Sequence, residues 1–134
     1  MFLSDRKKND RQNTAEQGFV TIGGEKAAVF TDCEYRELPL FSPGGYVWRP
    51  SPGQNILVVK TGDEGYSILG AENGDGPRNM ANGEVYIKSK SASVYLKNNG
   101  NIIVDGDVYV MGDVDITGRV DISGELYLNG NPVV

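Results

Sequence analysis

The sequence predicts an all-β protein. Near the C-terminus glycine returns every six residues, and elsewhere short β-branched segments alternate apolar with polar residues. Runs of Gly, Pro, Asn and Asp separate these segments, as turns separate strands. We expect four regions in chain order, namely a polar arm, a small barrel, a connector with neck strands, and a repeat, over residues 1–17, 18–72, 73–99 and 100–134.

The N-terminal arm is polar, with basic and acidic residues interleaved and no apolar period. Its composition predicts a solvated arm, and the alternative is that Met1, Phe2 and Leu3 anchor in a groove of a neighbouring subunit. The stretch over residues 4–11 is too polar for the apolar core of a secretory signal, so we expect none.

The second region contains five short apolar segments between Pro- and Gly-rich turns. Five short strands in about 55 residues are typical of a small closed barrel, and the OB-fold is a five-stranded barrel of this kind. We therefore predict an OB-like barrel with strands at residues 19–22, 27–30, 46–48, 55–60 and 66–70.

An OB-like barrel raises the question of single-stranded nucleic acid, which such folds bind with aromatic platforms among basic residues. This chain has one small cluster of that kind, beside Glu34 and Glu37, and residues 1–99 as a whole carry no net charge. We therefore predict no nucleic-acid partner, and we assign Tyr46 and Trp48 to the core or to a protein contact. The cluster consists of Tyr35, Arg36, Tyr46, Trp48 and Arg49.

The connector begins with turn-forming residues at 73–77, which lack the ligand spacing of a calcium-binding EF-hand loop. Two alternating segments follow, at residues 84–88 and 93–97, and residues 98–100 end the second. We predict that these two strands form a neck from which the repeat grows.

The repeat consists of the units GNIIVD, GDVYVM, GDVDIT, GRVDIS and GELYLN, followed by GNPVV. In the five full units, the second and fourth residues after the glycine are aliphatic, so one face of each short strand is apolar. The glycines predict tight corners. The corners are Gly100, Gly106, Gly112, Gly118, Gly124 and Gly130, and the predicted core is Ile102, Val104, Val108, Val110, Val114, Ile116, Val120, Ile122, Leu126 and Leu128.

Such a pattern predicts a β-helix, and its length indicates how many chains build it. A single-chain triangular coil needs about 18 residues per turn, so 35 residues make fewer than two open-ended turns. Three intertwined chains build roughly six layers, about 25–30 Å tall, with the aliphatic residues on the axis. We predict the intertwined trimer, and a hairpin meander is the alternative. Hexapeptide-repeat transferases, which have one aliphatic residue per unit and a catalytic histidine, do not fit.

The amino-acid composition excludes several kinds of catalytic and metal-binding site. The chain has no histidine, which excludes catalytic mechanisms that depend on one. It has one cysteine, Cys33, which alone cannot form a Cys-based metal site. The formal charge of −5 falls within residues 100–134, where six acids stand against Arg119. Acid–base catalysis by two carboxylates needs one of them desolvated, which an outward face does not provide. We predict no catalytic residue, metal or cofactor; the pairs considered are Asp113 with Asp115, and Asp121 with Glu125.

In this order, the barrel, neck and acidic repeat resemble the central spike of contractile injection systems, a family that includes phage baseplate assembly protein V, Mu-like phage spikes and R-type bacteriocin spikes. The resemblance covers residues 18–134. It is carried by GEVYIK at 83–88, SVYLKNNG at 93–100, the units at 106–117 and, more weakly, PGQNILVV at 52–59.

The resemblance implies a homotrimer at the centre of a baseplate in a virion or tailocin particle, assembled in the bacterial cytoplasm. It implies that the barrels dock on hub or tail-tube proteins, with Tyr46 and Trp48 as candidate contacts, while the β-helix meets the target cell envelope. Several such spikes end in histidines that bind iron, and this chain has none. The iron tip is therefore not expected here, and the alternatives are a tip without an ion, a tip capped by a separate tip protein, and a blunter tip. The alternative function is a trimeric fibre tip that binds a receptor or polysaccharide without catalysis.

Overall fold

The computed structural model describes residues 14–62 and 65–133, and in these residues it has ten β-strands and no helix. The strands within each sheet pair in an antiparallel manner. The all-β prediction is therefore confirmed. The chain divides into two units, Met1–Gly76 and Pro77–Val134. Most of the predicted arm, residues 1–13, lies outside the described residues.

The first unit is a five-stranded sheet. The chain order is a three-strand meander followed by a hairpin, and the first strand of the meander pairs with the first strand of the hairpin. The order across the sheet is β3-β2-β1-β4-β5, with β1 (Ala15–Ile22), β2 (Ala27–Phe30), β3 (Glu34–Leu38), β4 (Asn55–Thr61) and β5 (Gly65–Ala71).

The two edges of this sheet approach each other just beyond β3. Leu40 forms an isolated parallel bridge with Ile68 of β5. The Phe41 amide donates to the Ile68 carbonyl at 2.9 Å, and the Ile68 amide donates to the Pro39 carbonyl at 3.0 Å. The edge strands are thus linked at one point, while β3 and β5 themselves share no ladder within the described residues.

The core of this unit follows from strand alternation. In β1 the side chains of Phe19 and Val20 fall on opposite faces, the first half-exposed and the second buried, as period two requires. Inward positions of all five strands form one apolar cluster, with Tyr35, Leu40, Trp48, Tyr66 and Ala71 packed against it. The buried cluster comprises Val20, Ala27, Val29, Leu38, Ile56, Val58 and Ile68.

Two of the sequence-based assignments in this unit are wrong. Residues 46–48, predicted as a strand, are irregular, because they lie between Pro43-Gly44-Gly45 and Arg49-Pro50, where proline removes backbone donors. The missing strand is Glu34–Leu38, in which Glu37 adopts a positive φ of 56° and the pairing with β2 shifts register. In addition, β1 begins at Ala15, three residues earlier than the predicted barrel boundary.

The second unit contains a three-stranded meander and a terminal hairpin. The meander consists of β6 (Val85–Lys88), β7 (Ser93–Leu96) and β8 (Ile102–Asp105), in that order across the sheet. The two predicted neck strands are confirmed. The third strand was not expected: the first repeat unit folds back onto β7 instead of starting a separate element. The hairpin joins β9 (Tyr127–Leu128) to β10 (Asn131–Pro132).

Candidate functional site

The repeat between β8 and β9 is an extended chain without backbone partners of its own. Within the described residues, positions 107–125 belong to no strand and make no backbone–backbone hydrogen bond. A meander, the alternative prediction, would pair these units inside the chain. The backbone groups of residues 107–125 are therefore left to water or to another chain.

The ten aliphatic residues predicted as the core are all exposed in the single chain. Their exposed fractions lie between 46 % and 66 %. A soluble protein rarely presents so many aliphatic side chains in one continuous row, and a large exposed apolar surface marks an interaction site. This row, from Ile102 to Leu128, is called the aliphatic column below.

The corner glycines do not all have the same backbone. Gly106, Gly112 and Gly118 have φ of +139°, +147° and +137°, a region that L side chains rarely adopt, whereas the φ of Gly124 lies outside it. At Gly106 a side chain would also be crowded, because an added Cβ would lie 3.1 Å from the Cβ of Ala92. The six-residue period therefore has a conformational cause at three successive corners.

The two outermost corners lie in turns within the chain. Gly100 ends the β7–β8 turn, where its amide donates to the Lys97 carbonyl at 3.1 Å. Gly130 follows Asn129 in the β9–β10 turn, and both have positive φ, the requirement of a type I′ hairpin turn. The column is thus closed by a hairpin at each end, and the corners between them have no partner strand in the chain.

The other face of the repeat is polar and acidic, apart from the apolar or aromatic side chains of Ile103, Tyr109, Met111 and Tyr127. The carboxylates considered for catalysis are exposed, and Arg119 pairs with Asp121 in solvent, where an ion pair contributes little to stability. The Tyr127 hydroxyl donates to Glu125 at 2.6 Å, which raises the pKa of that tyrosine. Tyr109 and Met111 are 89 % and 100 % exposed.

Glu84 ties the neck together. Its carboxylate accepts hydrogen bonds from the Ala81 amide at 2.9 Å, the Asn98 amide at 2.9 Å and the Tyr95 hydroxyl at 2.7 Å. These donors, the Ala81 amide first, lower the pKa of Glu84 to about 2. Asn98 lies fourteen residues further along the chain, so no local sequence pattern points to this contact.

The lowered pKa of Glu84 predicts acid sensitivity of the neck. The folded state favours the carboxylate, so its contribution is complete above the ordinary pKa of 4.5 and is lost progressively as the pH falls towards about 2. We expect the Glu84→Gln variant to unfold at a lower temperature than the wild type at pH 7, and the difference to shrink between pH 4.5 and pH 2. Thermal unfolding followed by circular dichroism measures this. Glu25→Gln, at an exposed position of the other unit, is the control; the same shrinkage there would contradict the assignment.

The two aromatic residues predicted as contacts differ in placement. Trp48 packs against the core cluster of the first unit, while Tyr46 is 64 % exposed beside the still more exposed Val47. Tyr35, a member of the cluster considered for nucleic acid, packs against Tyr66 with the two rings tilted and their centroids 4.8 Å apart. Tyr35 therefore also packs against the core of the first unit. Tyr46 is thus the ring of this group that is most available to a partner.

The described residues contain no group of three His, Cys, Asp or Glu side chains arranged to hold a metal ion. Within residues 14–62 and 65–133, no helix is long and apolar enough to cross a bilayer.

Comparison of the chain with protein-family models and with curated proteins gives no match.

Proposed function

We propose that the protein is a homotrimeric structural spike at the centre of a contractile-tail baseplate. The observation that carries the proposal is the aliphatic column, which is exposed and whose middle part, residues 107–125, has no backbone hydrogen-bond partner among the described residues of its own chain. Two further copies of the chain would provide both hydrogen-bond partners for this backbone and a cover for the aliphatic side chains. An intertwined β-helix pairs backbone groups between chains and buries the aliphatic face on the axis.

The energetics favour such an assembly. Burying the exposed half of an aliphatic side chain contributes about 1 kcal/mol, so ten positions contribute on the order of 10 kcal/mol per chain. The acidic residues then form the outside of the column. Since they repeat on each chain, they keep neighbouring spikes apart and favour solubility.

The first unit supports the docking half of the proposal. The sheet order and the bridge between Leu40 and Ile68 fit an OB-like barrel that closes between β3 and β5. The exposed Tyr46 and Val47, held in place by the packed Trp48, offer an apolar contact for a hub or tail-tube protein. The column would then point away from the tube towards the target envelope, with or without a separate tip protein.

A second function, a trimeric fibre tip that binds a receptor or polysaccharide, is favoured by one observation. Tyr109 and Met111 lie on the acidic face and are almost fully exposed, and an exposed aromatic ring offers an apolar surface with a polar end to a ligand such as a sugar. The two functions differ in position within the particle, since a fibre tip lies at the periphery.

The test is immunogold electron microscopy of contractile particles with an antibody against this chain, together with the solution mass of the purified protein. Label at the baseplate centre and a mass near three times 14.5 kDa are expected. Label at peripheral fibre ends, with binding on a glycan array, would favour the second function. A monomer at micromolar concentration would contradict both.

A further inference from the structure

The neck sheet has two chemically different faces. Paired residues of an antiparallel sheet lie on the same face, so the register divides the side chains of β6, β7 and β8 into two sets. One set is wholly aliphatic and is called the neck face: Val85, Ile87, Val94, Leu96, Ile102 and Val104.

On the opposite face, the aromatic side chains make contacts with other side chains of the same chain. Tyr86 and Tyr95 meet edge to face with ring centroids 5.6 Å apart, the Lys97 ammonium lies 5.6 Å from the Tyr95 ring, and the Tyr95 hydroxyl is bonded to Glu84. Among the described residues, nothing covers the neck face in a comparable way. Ile87 is 52 % exposed, and four of its other residues are between 37 % and 64 % exposed.

The neck face is continuous with the aliphatic column. Ile102 and Val104 belong to both, because β8 is the third strand of the neck and also the first repeat unit. Three chains that meet along the column therefore bring three β8 strands to the same axis, and each β8 carries β6 and β7 with it.

We infer that the neck face packs against the neck faces of two further copies of this chain, so that the trimer interface begins at Val85 and not at the glycine repeat. Identical surfaces meet around a threefold axis, and the neck face carries no charged residue, so no like charges are brought together. The charged residues Lys88 and Asp105 lie on the opposite face. The inference rests on the proposed trimeric spike and extends it to the neck.

The test compares two isoleucines with similar exposure in the single chain, Ile87 on the neck face and Ile103 on the opposite face, at 52 % and 47 %. Each is changed to cysteine, as Ile87→Cys and Ile103→Cys, in the full-length Cys33→Ser background, and the rate of maleimide labelling is measured in the assembled protein. We expect at least tenfold slower labelling of the Ile87→Cys variant, and equal rates for both after dissociation in denaturant.

Equal rates in two variants that both have the trimer mass would overturn the inference and leave the spike itself intact. A monomeric parent protein would overturn both. Loss of the trimer in the Ile87→Cys variant alone, with an unchanged circular dichroism spectrum, would support the interface. If the Ile87→Cys chain does not fold, Val85→Cys is the second probe of the same face, read against Ile103→Cys in the same way.

Discussion

The Val114→Asp variant is expected to be a monomer. In the proposed assembly Val114 lies in the middle of the aliphatic column, so the substitution brings three carboxylates together on the axis. Each buried, unpaired charge costs several kcal/mol, and the three also repel one another. In the single chain Val114 is 62 % exposed, so the isolated chain has no reason to lose stability.

The matched control is Thr117→Asp. It adds the same charge in the same repeat unit, three residues further on and therefore on the outer face of an extended chain. Light scattering is expected to give three times 14.5 kDa for the wild type and the control, and a single chain mass for Val114→Asp. A Val114→Asp protein that keeps the trimer mass would show that the aliphatic column is not on the axis.

The second large effect is expected at Gly112. An added Cβ meets no atom within 4 Å at either Gly112 or Gly124, but Gly112 has a φ of +147° and Gly124 has no such restriction. A side chain held at such a φ costs about 1–3 kcal/mol. Because the proposed trimer contains three copies of each corner, Gly112→Ala should lower the free energy of unfolding of the assembly by about three times that amount.

Gly124→Ala is the control, since it tests the same substitution at a corner without the strained φ. Guanidinium-induced unfolding at one fixed protein concentration compares the two variants, because the stability of an oligomer depends on concentration. We expect a clearly lower midpoint for Gly112→Ala and little change for Gly124→Ala. Equal midpoints would mean that the corner glycines are not required for their backbone conformation.

Where strands alternate cleanly and end at turn residues, the sequence was a sufficient guide. The β4–β5 pair and the two neck strands were predicted within one residue of their observed ends. The strand Glu34–Leu38 was missed because only two of its five residues face the core and because Glu37 breaks the regular backbone. Its place in the sheet depends on pairing with β2, which no local pattern records.

The candidate site likewise has features that a local sequence pattern predicts and features that it does not. The period of six identifies the ten residues of the aliphatic column, because the alternation is local, and their role as a trimer core stays a prediction. Three features were not foreseen: the pairing of the first unit with β7, the difference between Gly124 and its neighbours, and the bonds that Glu84 makes to Asn98 and Tyr95. Each depends on contacts or dihedral angles set by the folded chain.

The absence of backbone partners over residues 107–125 also determines how the protein must fold. The neck meander has short turns and local pairs, so each chain can form it alone and soon after synthesis. In the proposed trimer the repeat cannot form until three chains meet, which makes its folding a concentration-dependent step. Prior folding of the neck would align the three chains at the same residue. Every unit of the repeat has the same length, so one chain could pair with the others six residues out of register. Alignment by the neck would prevent this shift.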